Sequence, residues 1–171
     1  MNPLWLERIL IRDLETMKKE LAAYPDEASV WVTPPGIANS AGTLALHVAG
    51  NVRHFIGAIL GKSGFVRDRD REFAARDVPR TELVAGLDAA IEAVKQTLGG
   101  IDRAALDEPY PELVGGRLQV VTGDFLIHLA THLTFHLGQV GYLRRIVTGG
   151  STSTGAVGLN DLATAARQAI A

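Results

Sequence analysis

The sequence of 171 residues contains no cysteine. That excludes a disulfide framework, a thiolate zinc site and a protein thiol nucleophile, so sulfur chemistry here would need a thiol cosubstrate. Aromatic residues are scarce, at 6%, too few for a platform that stacks single-stranded nucleic acid. There is no excess of positive charge either. The 17 Lys and Arg stand against 19 Asp and Glu, a net charge of −2, whereas a nucleic-acid partner favours a basic face. No apolar run approaches the roughly 20 residues that cross a bilayer, and no basic amphipathic stretch suggests a membrane surface. The opening MNPLWLERILIRDLETMKKEL lacks the basic-then-apolar order of a signal peptide. The expectation is a cytoplasmic protein that partners neither nucleic acid nor membrane.

Familiar enzyme signatures are missing as well. There is no H-E-x-x-H of a zinc protease and no G-x-S-x-G of a serine hydrolase. The stretch GAILGKS, Gly57 to Ser63, superficially suggests a phosphate-binding loop. Its glycine spacing is one residue short, and it ends a helical pattern instead of joining strand to helix.

What is present is helical periodicity almost throughout. Leu6, Ile9, Leu10, Leu14, Met17 and Leu21 recur every three to four residues and predict a helix from about Pro3 to Ala23. Pro25, Pro34, Pro35 and Gly36 make Tyr24 to Asn39 a loop. A second helix is expected from Ser40, its N-cap, to Leu60. It is apolar on most faces, as a helix buried among neighbours is. The alternating charges of RDRDRE, Arg67 to Glu72, predict a solvated loop. A third helix runs from about Pro79 to Leu98, stopped by Gly99-Gly100. The connection Ile101 to Val121 is expected to hold a helical turn at Asp102 to Leu106 and a hairpin turn at Gly115-Gly116. A fourth helix spans about Thr122 to Thr148. The expected architecture is all-α: a four-helix bundle with long inter-helix loops over residues 1–150. Residues 151–171 follow as a flexible tail, with a short helix from Asn160 or Asp161 to Ile170. Loops of such length often rim a pocket.

The five histidines carry the chemistry. His128, His132 and His136 lie four residues apart on the fourth helix. At about 100° per residue they share one face, His132 about 40° and His136 about 80° from His128. Phe125, Leu129, Val140 and Leu143 fall in the same direction, so these histidines point where the core points. Two imidazoles one turn apart can reach one ion. A third ligand must come from elsewhere, and the second helix offers His47 and His54. Its core direction is marked by Leu44, Val48, Val52, Phe55 and Ile59. The two histidines lie about 100° and 120° from it, and Asn51 about 60°. The wheel leaves the choice between His47 and His54 open. It also leaves open a proton-relay cluster or a hydrogen-bonded structural row.

These residues resemble the DinB-like superfamily, which includes YfiT-like metal-dependent hydrolases and thiol transferases. THLTFHLGQVGYLRR, Thr131 to Arg145, is similar to the family's H-x-x-x-H-x-G-Q motif and the basic stretch after it. TLALHVAGNVRHF, Thr43 to Phe55, is similar to its single-histidine helix. The resemblance implies His132 and His136 as paired metal ligands and His47 as the third, because the family ligand is followed two positions on by a small residue, here Ala49. Gln139, His128 and Asn51 would then stand around the ligands. His54 would be a packing or pocket residue. Gly138, with Thr134 and Gly141, marks a small-residue side of the helix where another helix or a second subunit could approach, and the resemblance implies a homodimer.

Three neutral imidazoles leave the charge of a divalent ion uncompensated and coordination positions open. Zinc or nickel suits such ligands best, and iron or manganese is compatible. The expected enzyme acts on a small molecule, by hydrolysis through a metal-bound water or by attack of a metal-bound thiolate on an electrophile. A low-molecular-weight thiol would be the cosubstrate of the second route. No general base is evident, although Glu108, Tyr110 and Glu112 could rim the pocket and Tyr142 or Arg144 could meet a substrate. Asp124 reads as stabilisation of the helix N-terminus. The alternative is a non-catalytic metal-binding stress-response or structural protein.

Overall fold

The computed structural model describes residues 2–155 and 157–166. Helix α1 spans Pro3–Ala22. It starts where Asn2 Oδ1 accepts from Leu4 N at 3.0 Å and Pro3 occupies the first turn, a position where no backbone donor is lost. Helix α2 spans Ala41–Val52, and the Ser40 hydroxyl caps it by accepting from Thr43 N at 3.1 Å. A short α3 covers Arg69–Ala74, α4 covers Arg80–Leu98 and α5 covers Thr122–Thr148. Helix α5 ends at Gly149, whose φ of +68° is the left-handed conformation that closes helices.

The four long helices form a ring in the order α1, α4, α2, α5. Leu10, Leu14, Met17, Val48, Leu87, Leu129 and Leu133 meet at its centre, fully buried. Every residue of α2 except Leu46 is buried, as expected of a helix with neighbours on several sides. Among the described residues there is no strand, and no helix is long and apolar enough to cross a membrane.

Three features depart from the sequence pattern. First, α2 runs on as a π-helix over Arg53–Leu60. Gly61 N bonds Ile56 O at 2.9 Å, and the wider turn leaves carbonyls for side chains. The Tyr110 hydroxyl donates to Phe55 O at 2.6 Å and Thr97 Oγ1 to Ile56 O at 3.3 Å. Second, the RDRDRE stretch is solvated at Asp68, Arg69, Asp70 and Arg71, as its alternating charges predict, but it is not simply a loop. Asp68 caps α3 and Glu72 is buried, 7% exposed. Third, Arg144 is buried against Glu20, its Nε 2.5 Å from Oε2. It also donates to Thr152 O at 2.7 Å, so it is a structural charge and not a solvent-facing or substrate-facing one.

The connections match their turn chemistry. Asp102 caps a 3-10 turn at Arg103–Leu106. Beyond it, Val114 and Leu118 exchange backbone hydrogen bonds around Gly115 and Gly116, whose φ values are +61° and +72°. In the tail, Leu159–Asp161 forms one 3-10 turn. From residue 167 the segment expected to carry a helix to Ile170 lies outside the described residues.

Candidate metal centre

His47 sits in the middle of α2, buried, and faces His132 and His136 on the adjacent α5, both half-buried. One ring nitrogen of each lies within 4.8 Å of the others. The Nε2 of His132 is 3.4 Å from that of His47 and 3.1 Å from that of His136. The rings stand nearly perpendicular, at 79° for His47 with His132 and 89° for His132 with His136. Their edges, not their faces, converge.

Two neighbours fix which nitrogen of each outer ring carries the proton. His47 Nδ1 lies 3.1 Å from Glu72 Oε2. Burial opposes ionisation of Glu72, but hydrogen bonds from Arg67 and His47 outweigh it and hold its pKa below the ordinary value. An ionised carboxylate only accepts, so His47 Nδ1 is its donor and Nε2 is the ring nitrogen turned to the cluster; Arg67 Nη2 also lies 3.3 Å from that Nδ1. Arg67 grips the same carboxylate with both ends of its guanidinium, Nε to Oε1 at 2.7 Å and Nη2 to Oε2 at 2.8 Å. On α5 the Gln139 carbonyl oxygen faces His136 Nδ1 at 2.7 Å, which again leaves Nε2 as the acceptor. Burial, then His136 and His47, push the pKa of His132 down to about 4. Burial also lowers that of His136, with Gln139 opposing. Both rings are neutral at pH 7.

The donor set fits a divalent ion. Two nitrogens, each about 2.0–2.1 Å from one ion at a tetrahedral angle, stand about 3.3 Å apart, and the two Nε2 separations bracket that value. The proton count points the same way when all three rings are neutral: His132 Nε2 then carries at most one proton between two neighbouring nitrogens, so hydrogen bonding satisfies one contact and leaves the other repulsive. A cation satisfies all three nitrogens. The backing of His47 by Glu72 and of His136 by Gln139 is the arrangement that orients imidazole ligands in metal sites. His47, His132 and His136 could therefore hold a metal ion.

The profile of the DinB superfamily matches residues 10–140, which takes in α1 from Leu10 onward, all of α2 and α4, and all three histidines. The chain belongs to the DinB superfamily. No curated protein matches the sequence.

Around the DinB triad the other expected residues divide. Gln139 touches His136. His128 is exposed rather than in the core, and its ring stacks on His132 at 6.0 Å and on Phe125 at 5.9 Å. Asn51 is buried one turn beyond His47. His54 lies outside the cluster, 3.9 Å from Glu112 Oε2. Tyr110 is buried as a brace for the π segment and does not rim a pocket. Thr134 and Gly141 face α1, touching Asp13 and Glu20, while Gly138 and Tyr142 are exposed.

Glu72 and Arg67 escaped the sequence reading. The signal available in the sequence was Gly50, one turn past His47, because a Cβ there would collide with the carboxylate of Glu72. Phe73, the next residue, lays its ring 4.9 Å from that of His47.

Proposed function

We propose that this DinB protein is a metal-dependent enzyme acting on small molecules, with a divalent ion on the Nε2 atoms of His47, His132 and His136. The observation that carries the reading is the convergence of three Nε2 atoms, with Glu72 and Gln139 bonded to the Nδ1 atoms of two of the rings. When bound, the cation supplies Lewis acidity, which polarises a carbonyl or lowers the pKa of a water or thiol. Zinc and nickel suit three imidazoles best, and iron and manganese remain compatible.

Of the two chemistries open to such a site, we favour thiol transfer over hydrolysis. Hydrolysis at neutral pH is helped by a free general base. Among the described residues Glu72 is the carboxylate bonded to the triad, and it is committed to Arg67 and His47. A thiol needs less help, because its own pKa is closer to neutrality. With no cysteine in the chain, the sulfur would come from a low-molecular-weight thiol. The thiol loses its proton to solvent, sulfur bonds the electrophilic carbon, and the leaving group departs with the electron pair. The exposed side of α5, with Phe135 and Gly138, supports a homodimer, which sedimentation would reveal.

The deciding experiment is metal analysis of protein purified without a polyhistidine tag. About one divalent ion per chain is expected, lost in His47→Ala and in His132→Ala. A metal-free protein that refuses added zinc and nickel would overturn the proposal. Loaded protein is then incubated with candidate thiols and a chloroarene. A protein that takes the metal, forms no conjugate and melts far lower in chelator is a non-catalytic metal protein.

A further inference from the structure

A half-open cleft of about 360 Å³ shares Gln139 with the surroundings of the triad. Its lining is mainly apolar, with Ile37 from the α1–α2 loop, Leu44 from α2, and Leu143 with the largely exposed Tyr142 and Ile146 from α5. Two carboxamides, Asn39 and Gln139, also line it, and among the described residues no Asp, Glu, Lys, Arg or His does. The loop is shaped for this, since Pro34 and Pro35 stiffen it and Gly36 turns it at a φ of +81°.

The cavity and the three rings are neighbours along both helices. Leu44 precedes His47 by three residues, and Gln139 follows His136 by three. At about 1.5 Å per residue, the cavity begins roughly one helical turn from the imidazoles. Gln139 belongs to both, since its Oε1 is occupied by His136 Nδ1 while its NH₂ keeps two donors for a guest. An engineered apolar cavity of about 150 Å³ accepts benzene, so a space of this size accommodates a group of one or two rings.

We propose that this cavity is the substrate site for an uncharged aryl or branched alkyl body. The reactive carbon then sits at the end lined by Gln139, the side toward His136. The assignment rests on the metal reading only for what happens at that end. The walls disfavour a charged body by themselves, because no charged side chain in them would compensate whatever part of it leaves water. Gln139 is a positioning residue that links the guest to the orientation of the His136 ring.

The test uses the full chain, with and without zinc, and two ¹⁹F NMR probes, neutral 4-fluorobenzyl alcohol and anionic 4-fluorobenzoate. The neutral probe should bind, and the anion at least tenfold more weakly. Ala38→Trp, which fills the cavity from the loop, and Ile146→Lys, on an exposed edge where folding is unaffected, should each weaken the neutral probe at least tenfold without changing zinc content. Equal binding of the two probes, or binding undiminished in both variants, overturns the proposal. Wild-type protein that takes zinc but not the neutral probe sinks the cavity assignment alone. Probe binding that is sensitive to Ala38→Trp in a chain that takes no zinc sinks the metal reading and leaves the cavity.

Discussion

Glu72 Oε2 stands 3.1 Å from His47 Nδ1, and a bidentate Arg67 holds the carboxylate there. The acid is buried, so it is ordered in one position and presents its charge to one ring edge. Carboxylates behind imidazole ligands raise ligand basicity, and their removal typically lowers metal affinity roughly 10- to 100-fold. Glu72→Ala should weaken zinc binding by that range in competition with a chelating dye. Glu72→Gln, which retains an accepting oxygen, should lose less. Unchanged affinity in Glu72→Ala would remove the carboxylate from the site. The alanine variant also strands Arg67, so its Tm should fall further than that of an Arg67→Ala, Glu72→Ala pair.

Gly50 is predicted to be required for the same contact. A Cβ at this position collides with the Glu72 carboxylate. Gly50→Ala improves helix propensity by about 1 kcal/mol, yet it should destabilise the protein by about 1–3 kcal/mol through overpacking. It should weaken zinc binding as Glu72→Ala does. A stabilised Gly50→Ala protein with normal affinity would contradict the geometry.

The metal-free protein should lose stability as pH falls from about 6.5 to about 4. His132 has its pKa depressed to about 4 in the folded state, against about 6.5 in the unfolded chain. Between those values the unfolded chain binds the additional proton, so stability decreases with falling pH. Glu72, also depressed, adds a second loss below the ordinary carboxylate range, because its contribution disappears as pH falls through its folded pKa. Urea denaturation in chelator at pH 7.5, 5.5, 4.5 and 3.5 would show this. His132→Gln should flatten the upper part of the profile and leave the lower part.

Arg144 is predicted to matter for stability and not for the metal. It pairs with Glu20, and Thr154 Oγ1 bonds the other carboxylate oxygen. Arg144→Ala leaves a buried carboxylate uncompensated, at a cost of about 3–5 kcal/mol. Tm should drop several degrees while zinc stoichiometry stays at wild type. A variant of normal Tm with lost activity would return Arg144 to the substrate.

The four long helices, the Ser40 cap and the Gly149 stop were legible in the sequence, because hydrophobic period and capping are local properties of the chain. So was the pairing of His132 with His136, since four residues make one turn on any α-helix. The separation of His47 from His54 was not. A wheel with one fixed angle ran Phe55 and Ile59 into the definition of the core, and those residues lie in the π segment, where the angle per residue changes. The family motif favoured His47 where the periodicity did not, and the structure brings that ring to the other two.

The sequence by itself determined an all-helical bundle of the DinB superfamily and the row of imidazoles on its last helix. Tertiary structure decided that Glu72 and Arg67 back His47, that Arg144 is buried, and that the α1–α2 loop lines a cleft next to Gln139. Periodicity reports which side of a helix is apolar. It does not report what another segment, 25 or 124 residues away, places against the polar groups on that side. Those contacts depend on how the helices are rotated and set against one another, which the whole core fixes at once.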